Sequence, residues 1–136
     1  MASLRRKADL PQAVIDWVAG AHPEGEIVSI GLLQEGVLSV EVAEGEQRIQ
    51  LLFSEDPTPV WLQSRILVAL RMLPKAIIRY LEGKKREYPD LFAEAVFLPG
   101  DQSCFEIFLR NRREQTQVKV RFSESGKLEQ VDIIPR

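Results

Sequence analysis

The chain contains one helix pattern twice. LPQAVIDWVAG occupies residues 10–20, and LPKAIIRYLEG occupies residues 73–83. In both copies apolar residues recur at the i, i+3, i+4, i+7 and i+8 spacing of an amphipathic helix. The second residue of each copy is a proline that suits the first helical position, and the last is a glycine. The predicted buried stripes are Leu10, Ala13, Val14, Trp17 and Val18, and Leu73, Ala76, Ile77, Tyr80 and Leu81. Outward positions differ, as Asp16 against Arg79 shows. The repeat therefore describes how a helix starts and packs.

After each helix the apolar spacing changes to two, which is typical of half-buried strands. One strand in each half ends in Phe-Ser-Glu, at residues 53–55 and 122–124. The residues predicted to face the helices are Leu38, Val40, Val42, Ile49, Leu51 and Phe53 in the first half, and Phe105, Ile107, Leu109, Val118, Val120 and Phe122 in the second. Each half is therefore predicted to form one helix followed by three or four antiparallel strands.

These units must pack together, because a single helix cannot bury its apolar stripe alone and a sheet face needs a cover. The sequence therefore predicts an α+β fold. Residues 1–136 are expected to form a single domain of two tandem structural repeats, about residues 9–65 and 72–136. The two units are predicted to make one extended antiparallel sheet with both helices on one face.

Residues 58–72 fit two interpretations. Thr58-Pro59 can begin a third helix, and residues 66–72 are good helix formers. By analogy with the last strand of the second half, residues 61–64 would instead form the fourth strand of the first half. We favour a short strand there, followed by an irregular or helical leucine-rich link to Leu73.

The reactive residues show no catalytic or metal-binding pattern. His22 is the only histidine and Cys104 the only cysteine. Neither has a second ligand or a base at the spacing that such a site requires. The sequence also lacks a glycine-rich phosphate loop and the common hydrolase motifs. We therefore expect a protein that is not an enzyme and has no catalytic residues, metal or cofactor. A hydrolase with an unrecognised carboxylate site is a remote alternative.

Charge and hydropathy limit the classes of partner. The net charge of −2 predicts no nucleic-acid binding. The longest apolar run, residues 66–70, is too short to cross a bilayer, so no membrane insertion is expected. Residues 1–69 carry 5 basic and 10 acidic side chains, whereas residues 70–136 carry 13 and 10. An acidic half joined to a mildly basic half suits internal docking or a dipolar surface.

Strand parity predicts which side chains a protein partner would meet. If Ile107 and Leu109 face a helix, the residues between and beside them face away. Trp61 joins this set if its segment is a strand. The candidate face comprises Trp61, Glu106, Phe108, Arg110, Lys119 and Arg121. Aromatic residues amid mixed charge are typical of a protein-binding surface, and also of an ordinary solvent-facing sheet.

The pattern resembles the PepSY-like family, whose fold resembles that of the beta-lactamase inhibitor protein. That family has tandem units with an LP-initiated helix ending near Tyr or Trp, a Tyr-Pro entry to the first strand, and a strand ending in Phe-Asp. The matching segments here are Leu10-Pro11 to Trp17, His22-Pro23 to Ile27, Phe53-Ser-Glu-Asp, Leu73-Pro74 to Tyr80, Tyr88-Pro89, and Phe122-Ser-Glu-Ser-Gly126. The first copy lacks the family's glycine turn after its phenylalanine.

The resemblance implies a non-enzymatic protein that binds another protein through an open sheet face, in an inhibitor-like way. It also implies a periplasmic or cell-envelope location if a signal peptide was removed; the chain is expected to be cytoplasmic if it is complete as given. No loop motif carries the inhibitor's activity to this sequence. The alternative is a structural protein that forms a homodimer through the sheet face or the leucine-rich link, and both monomer and homodimer stay open.

Overall fold

The structure, a computed structural model, describes residues 3–4, 10–33, 36–55 and 58–134. Predictions that involve residue 9, Asp56 and residues 135–136 lie outside these ranges. The chain divides into two compact units. The first comprises Met1–Ile66 and Leu98–Gly100, and the second comprises Leu67–Phe97 and Asp101–Arg136.

The first unit contains one helix and five strands. They are β1 (Ser3–Leu4), α1 (Gln12–Ala21), β2 (Glu26–Leu32), β3 (Val37–Glu44), β4 (Gln47–Ser54) and β5 (Val60–Val68), whose last two residues belong to the second unit. The strands pair antiparallel in the order β1-β2-β3-β4-β5.

The second unit contains a short 3₁₀ turn, one helix and four strands. They are the turn Leu70–Met72, α2 (Lys75–Glu82), β6 (Asp90–Leu98), whose last residue belongs to the first unit, β7 (Gln102–Asn111), β8 (Thr116–Ser123) and β9 (Leu128–Ile134). The strand order is β6-β7-β8-β9, and β7, β8 and β9 pair antiparallel. The predicted α+β class is confirmed, and four strands follow each helix. The tandem-repeat relation and the single extended sheet stay predictions.

Each helix begins directly after its proline. Pro11 and Pro74 have extended ψ angles of 141° and 148°, so each proline flanks its helix. The prediction that they occupy the first helical position was wrong. Their carbonyl oxygens accept the first helical hydrogen bonds, including those from Val14 and Ile77 N–H, each at 3.0 Å. Helix α1 also continues one residue beyond Gly20.

Each unit has its own apolar core, and the predicted alternation explains both. In the first unit Val14 and Val18 of α1 pack on the strand residues of one sheet face. In the second unit Ile77 and Leu81 of α2 do the same. The cores include the predicted strand residues Leu38, Val40, Val42, Ile49, Leu51 and Phe53, and Ile107, Leu109, Val118, Val120 and Phe122, with Phe105 packed against the second core. Ala13 and Ala76, predicted in the stripes, are exposed.

The strand interpretation of residues 61–64 is confirmed, and the strand is longer than predicted. The prediction that Trp61 then joins the candidate face was wrong. A β-bulge between Leu52 and Phe53 places Trp61 opposite Phe53, which faces α1. The Trp61 ring stacks on Trp17 of α1 at a centroid distance of 5.3 Å. Trp61 therefore belongs to the core side of the first unit, because the bulge reverses the side that regular alternation would give it.

No helix among the described residues has the length and hydropathy needed to cross a bilayer.

Candidate binding face of the second unit

The other five predicted face residues lie together on the second unit's sheet. Register places Glu106 opposite Arg121, Phe108 opposite Lys119, and Arg110 opposite Gln117. These positions alternate with the core residues that contact α2, so they lie on the side of the sheet away from α2. We call this side of β6, β7, β8 and β9 the outer face.

Glu106 is a buried carboxylate at the centre of the outer face, with only 1% of the residue exposed. Arg121 donates two hydrogen bonds to Glu106 Oε2, from Nε at 3.2 Å and from Nη2 at 2.8 Å. Lys119 Nζ lies 4.0 Å from the same oxygen. The hydrogen bonds from the guanidinium to Glu106 raise the pKa of Arg121 above its usual value. Glu106 and Arg121 therefore form a fixed ion pair across two strands.

The sequence predicted Glu106 and Arg121 to contact a partner, whereas the structure pairs them with each other and buries Glu106. A carboxylate buried in a sheet requires a charge partner, since an isolated buried charge is very unfavourable. Register alone could have shown the pairing, because Glu106 and Arg121 become neighbours only once β7 and β8 are aligned. Arg121 is consequently a poor residue for a binding test, since its loss would disturb the sheet.

Phe108 packs on a residue that sequence reasoning missed. Phe92 of β6 stacks on Phe108 with a centroid distance of 4.8 Å and an interplanar angle of 15°. Phe92 is 43% exposed. The available signal was the alternation of Phe92 with Leu91 and Ala93, which pack against the second core. The outer face thus presents a stacked aromatic pair to solvent, which is the kind of anchor that protein interfaces use.

The aromatic pair borders the β7–β8 turn. A surface depression of about 150 Å³ is lined by Asp90, Phe92, Phe108, Arg110, Arg112 and Gln117. Arg112 pairs with Asp90 at an Nε–Oδ2 distance of 2.5 Å. The Asn111 side chain holds the turn: its Nδ2 donates to Glu87 O at 2.9 Å, and its Oδ1 accepts from Arg113 N–H at 3.0 Å. The basic run of residues 110–113 is thus divided between strand β7 and an exposed turn.

Neither reactive residue of the sequence lines this depression. His22 follows α1, and its Nδ1 lies 3.5 Å from Glu44 Oε1 in the first unit. Cys104 is a buried cysteine in β7, in register with Ser123. Among the described residues, no three His, Cys, Asp or Glu side chains are grouped so as to hold a metal ion.

Comparison with solved structures identifies the fold. A BLIP-like protein from Bacteroides fragilis is 16% identical, with a TM-score of 0.72 and coverage of 93% of this chain and 89% of that chain. A DUF2874 family protein from Bacteroides ovatus is 14% identical, with a TM-score of 0.72 and coverage of 90% and 86%. Another from Bacteroides uniformis is 16% identical, with a TM-score of 0.71 and coverage of 91% and 89%.

At these identities the similarity shows the fold alone, and the chain has a BLIP-like fold, as the resemblance predicted. No family model and no curated protein sequence matches the chain. Membership of the PepSY-like family therefore stays a prediction.

Proposed function

We propose that this protein is a non-enzymatic binding module that recognises another protein through the outer face of its second unit. The observation that carries the proposal is the exposed Phe92–Phe108 stack. Large aromatic side chains that are already packed bring apolar contact area and lose little side-chain entropy on binding. The BLIP-like fold is compatible with such a module.

The ion pair beside the stack supports the same role. Arg121 and Glu106 fix neighbouring side chains of β8 and β7 before a partner arrives. A surface with fixed side chains loses less conformational freedom on association, so a given contact area yields higher affinity. Arg110 and Lys119 would lie in the polar rim, where charges influence the association rate and specificity more than the affinity.

The test uses two phenylalanines of the same strand. Phe92 and Phe97 are 43% and 41% exposed, and an odd separation along a regular strand places them on opposite sides. The wild type, Phe92→Ala and Phe97→Ala are immobilised and exposed to the soluble proteins of the source cell. Any specifically captured protein is then purified and its affinity for each variant is measured.

We expect Phe92→Ala to weaken binding by about tenfold or more, equivalent to about 1.4 kcal/mol, because an interface anchor is lost. Phe97→Ala should bind like the wild type. Far-ultraviolet circular dichroism establishes that both variants fold. A partner that binds Phe92→Ala and the wild type equally would remove the outer face from consideration.

A further inference from the structure

The last strand presents apolar side chains at a free edge. Within the described part of the chain, β9 pairs only with β8. Val131 and Ile133 are 49% and 70% exposed, although Val120 and Val118 opposite them in β8 are buried. Natural edge strands usually avoid further pairing by means of lysines, prolines or short length. Strand β9 has seven residues and contains neither lysine nor proline; its two charged residues are Glu129, at the β8–β9 register shift, and Asp132.

We propose that β9 pairs antiparallel with β9 of a second copy of this chain, in the register that places Val131 opposite its own copy. The proposal goes beyond the binding module, because it uses the edge of the sheet and not the Phe92–Phe108 stack. A twofold axis perpendicular to the sheet keeps every side chain on its own side. Only residues of the same parity can then lie opposite each other.

Charge selects among the registers that parity allows. Centring the pair on Asp132 would place two carboxylates directly opposite each other, which is destabilising. Centring it on Gln130 would place the carboxylate of Glu129 opposite Val131. Centring it on Val131 avoids both: Val131 meets its copy, and Gln130 lies opposite Asp132. Glu129, which the β8–β9 register shift leaves without a partner in β8, lies at the end of the paired segment, where its carboxylate can reach water.

Both sides of β9 complement themselves in this register. On one side, Gln130 Nε2 already donates to Asp132 Oδ1 and Oδ2 within the strand, at 3.0 and 2.9 Å. The same amide and carboxylate would face each other across the twofold axis. On the other side, the two Val131 side chains would meet, and each Ile133 would lie diagonally beside them in an apolar cluster of four side chains. The side chains that are now exposed would thereby become partly buried.

A single strand pair is a small interface. Stable complexes bury about 1,200–2,000 Å² in total, and a pairing of seven residues on each side falls below that range. We therefore expect a concentration-dependent dimer, which is best detected by trapping it with a site-specific disulfide.

The experiment compares Val131→Cys with Ile133→Cys, both in a Cys104→Ser background. In the proposed register the two cysteines introduced at position 131 lie opposite each other, with Cβ atoms about 4.5–5.5 Å apart, so a small adjustment allows a disulfide. The two 133 positions are separated by four residues along the strand, about 13 Å. If Cys104→Ser prevents folding, the buried native thiol is retained and the single variants are compared.

Under oxidised glutathione, Val131→Cys should form covalent dimers at least about tenfold faster than Ile133→Cys, because pairing raises the effective thiol concentration. This order is opposite to the order of exposure, in which residue 133 is the more accessible. Equal rates, a faster Ile133→Cys, or no Val131→Cys dimer at high protein concentration would each overturn the proposal.

Discussion

The Glu106–Arg121 pair predicts an asymmetric response to mutation. In Arg121→Ala, Glu106 loses two charge-assisted hydrogen bonds while its side chain is only 2% exposed. Removing one partner of a buried pair typically costs about 3–5 kcal/mol, because the other charge stays buried. Lys119 Nζ, 4.0 Å away, offsets part of this loss. We therefore expect Arg121→Ala to lower the free energy of unfolding by about 2–3 kcal/mol.

The reverse change should cost less. Glu106→Gln keeps the side-chain volume and an oxygen that can accept a hydrogen bond from Arg121. The Arg121 side chain is 39% exposed, so water can solvate its charge. We expect Glu106→Gln to cost about 1 kcal/mol, the difference between a charge-assisted and a neutral hydrogen bond. Arg48→Ala is the control: its pair with Glu41 is exposed on both sides and should contribute less than about 1 kcal/mol.

Urea unfolding must be followed by two probes, since Trp17 and Trp61 both lie in the first unit. Far-ultraviolet circular dichroism reports both units, whereas tryptophan fluorescence reports the first. Coincident curves would justify a two-state free energy, and separate curves would give each unit its own value. If Glu106→Gln lowers the free energy of unfolding as much as Arg121→Ala does, the buried charge of Glu106 does not explain the cost of losing Arg121.

Four further variants test local packing and the titration of one tyrosine. Gly126 has φ of +97° and lies where a Cβ would meet the start of α2 at 3.3 Å, so Gly126→Ala should lower the free energy of unfolding by about 1–3 kcal/mol. Gly20→Ala, in an open helical position, should raise it by about 0.5–1 kcal/mol. Denaturation curves that shift in the same direction for both variants would contradict this. Trp61→Ala should remove the near-ultraviolet circular dichroism of the stack with Trp17 and cost about 3 kcal/mol, and an unchanged spectrum would be inconsistent with stacked rings. Burial raises the pKa of Tyr88 above 10.0, so the contribution of Tyr88 to stability is present below pH 10 and is lost as the pH rises through the folded-state pKa. Phenolate absorbance of the native protein, compared with that of Tyr88→Phe, should show the ionisation of Tyr88 above pH 10. A midpoint at or below pH 10 would refute the prediction.

The local pattern of the sequence predicted the inward residues of β3, β4, β7 and β8, because alternation along one strand is a local property. It did not predict which residues would meet across strands. The burial of Glu106 depends on its register with Arg121, and the position of Trp61 depends on a bulge in the β4–β5 pair. The side of the sheet on which Phe92 lies could have been predicted from its alternation with Leu91 and Ala93, but its contact with Phe108 could not, since Phe108 belongs to a neighbouring strand. Candidate site residues are therefore less predictable than core residues.

The two Phe-Ser-Glu segments have matching local structure. Each phenylalanine directly follows a β-bulge, and each receives an edge-on contact from the aromatic residue of its unit's helix: Trp17 at 5.5 Å from Phe53, and Tyr80 at 5.3 Å from Phe122. These contacts give a physical reason for the shared phenylalanine, since in each unit it packs edge-to-face with the aromatic residue of the helix.

The residue across each bulge differs, and this difference decides how the neighbouring strand is covered. Trp61 lies opposite Phe53 and packs on Trp17. Leu128 lies opposite Phe122 and is 47% exposed. The start of β5 is therefore held to α1, whereas β9 is left with apolar side chains in water. Leu128→Trp should bury β9 against α2 and slow the disulfide trapping of Val131→Cys. If the new indole is buried and Val131→Cys is still trapped at the same rate, the exposure of β9 is not what permits its pairing.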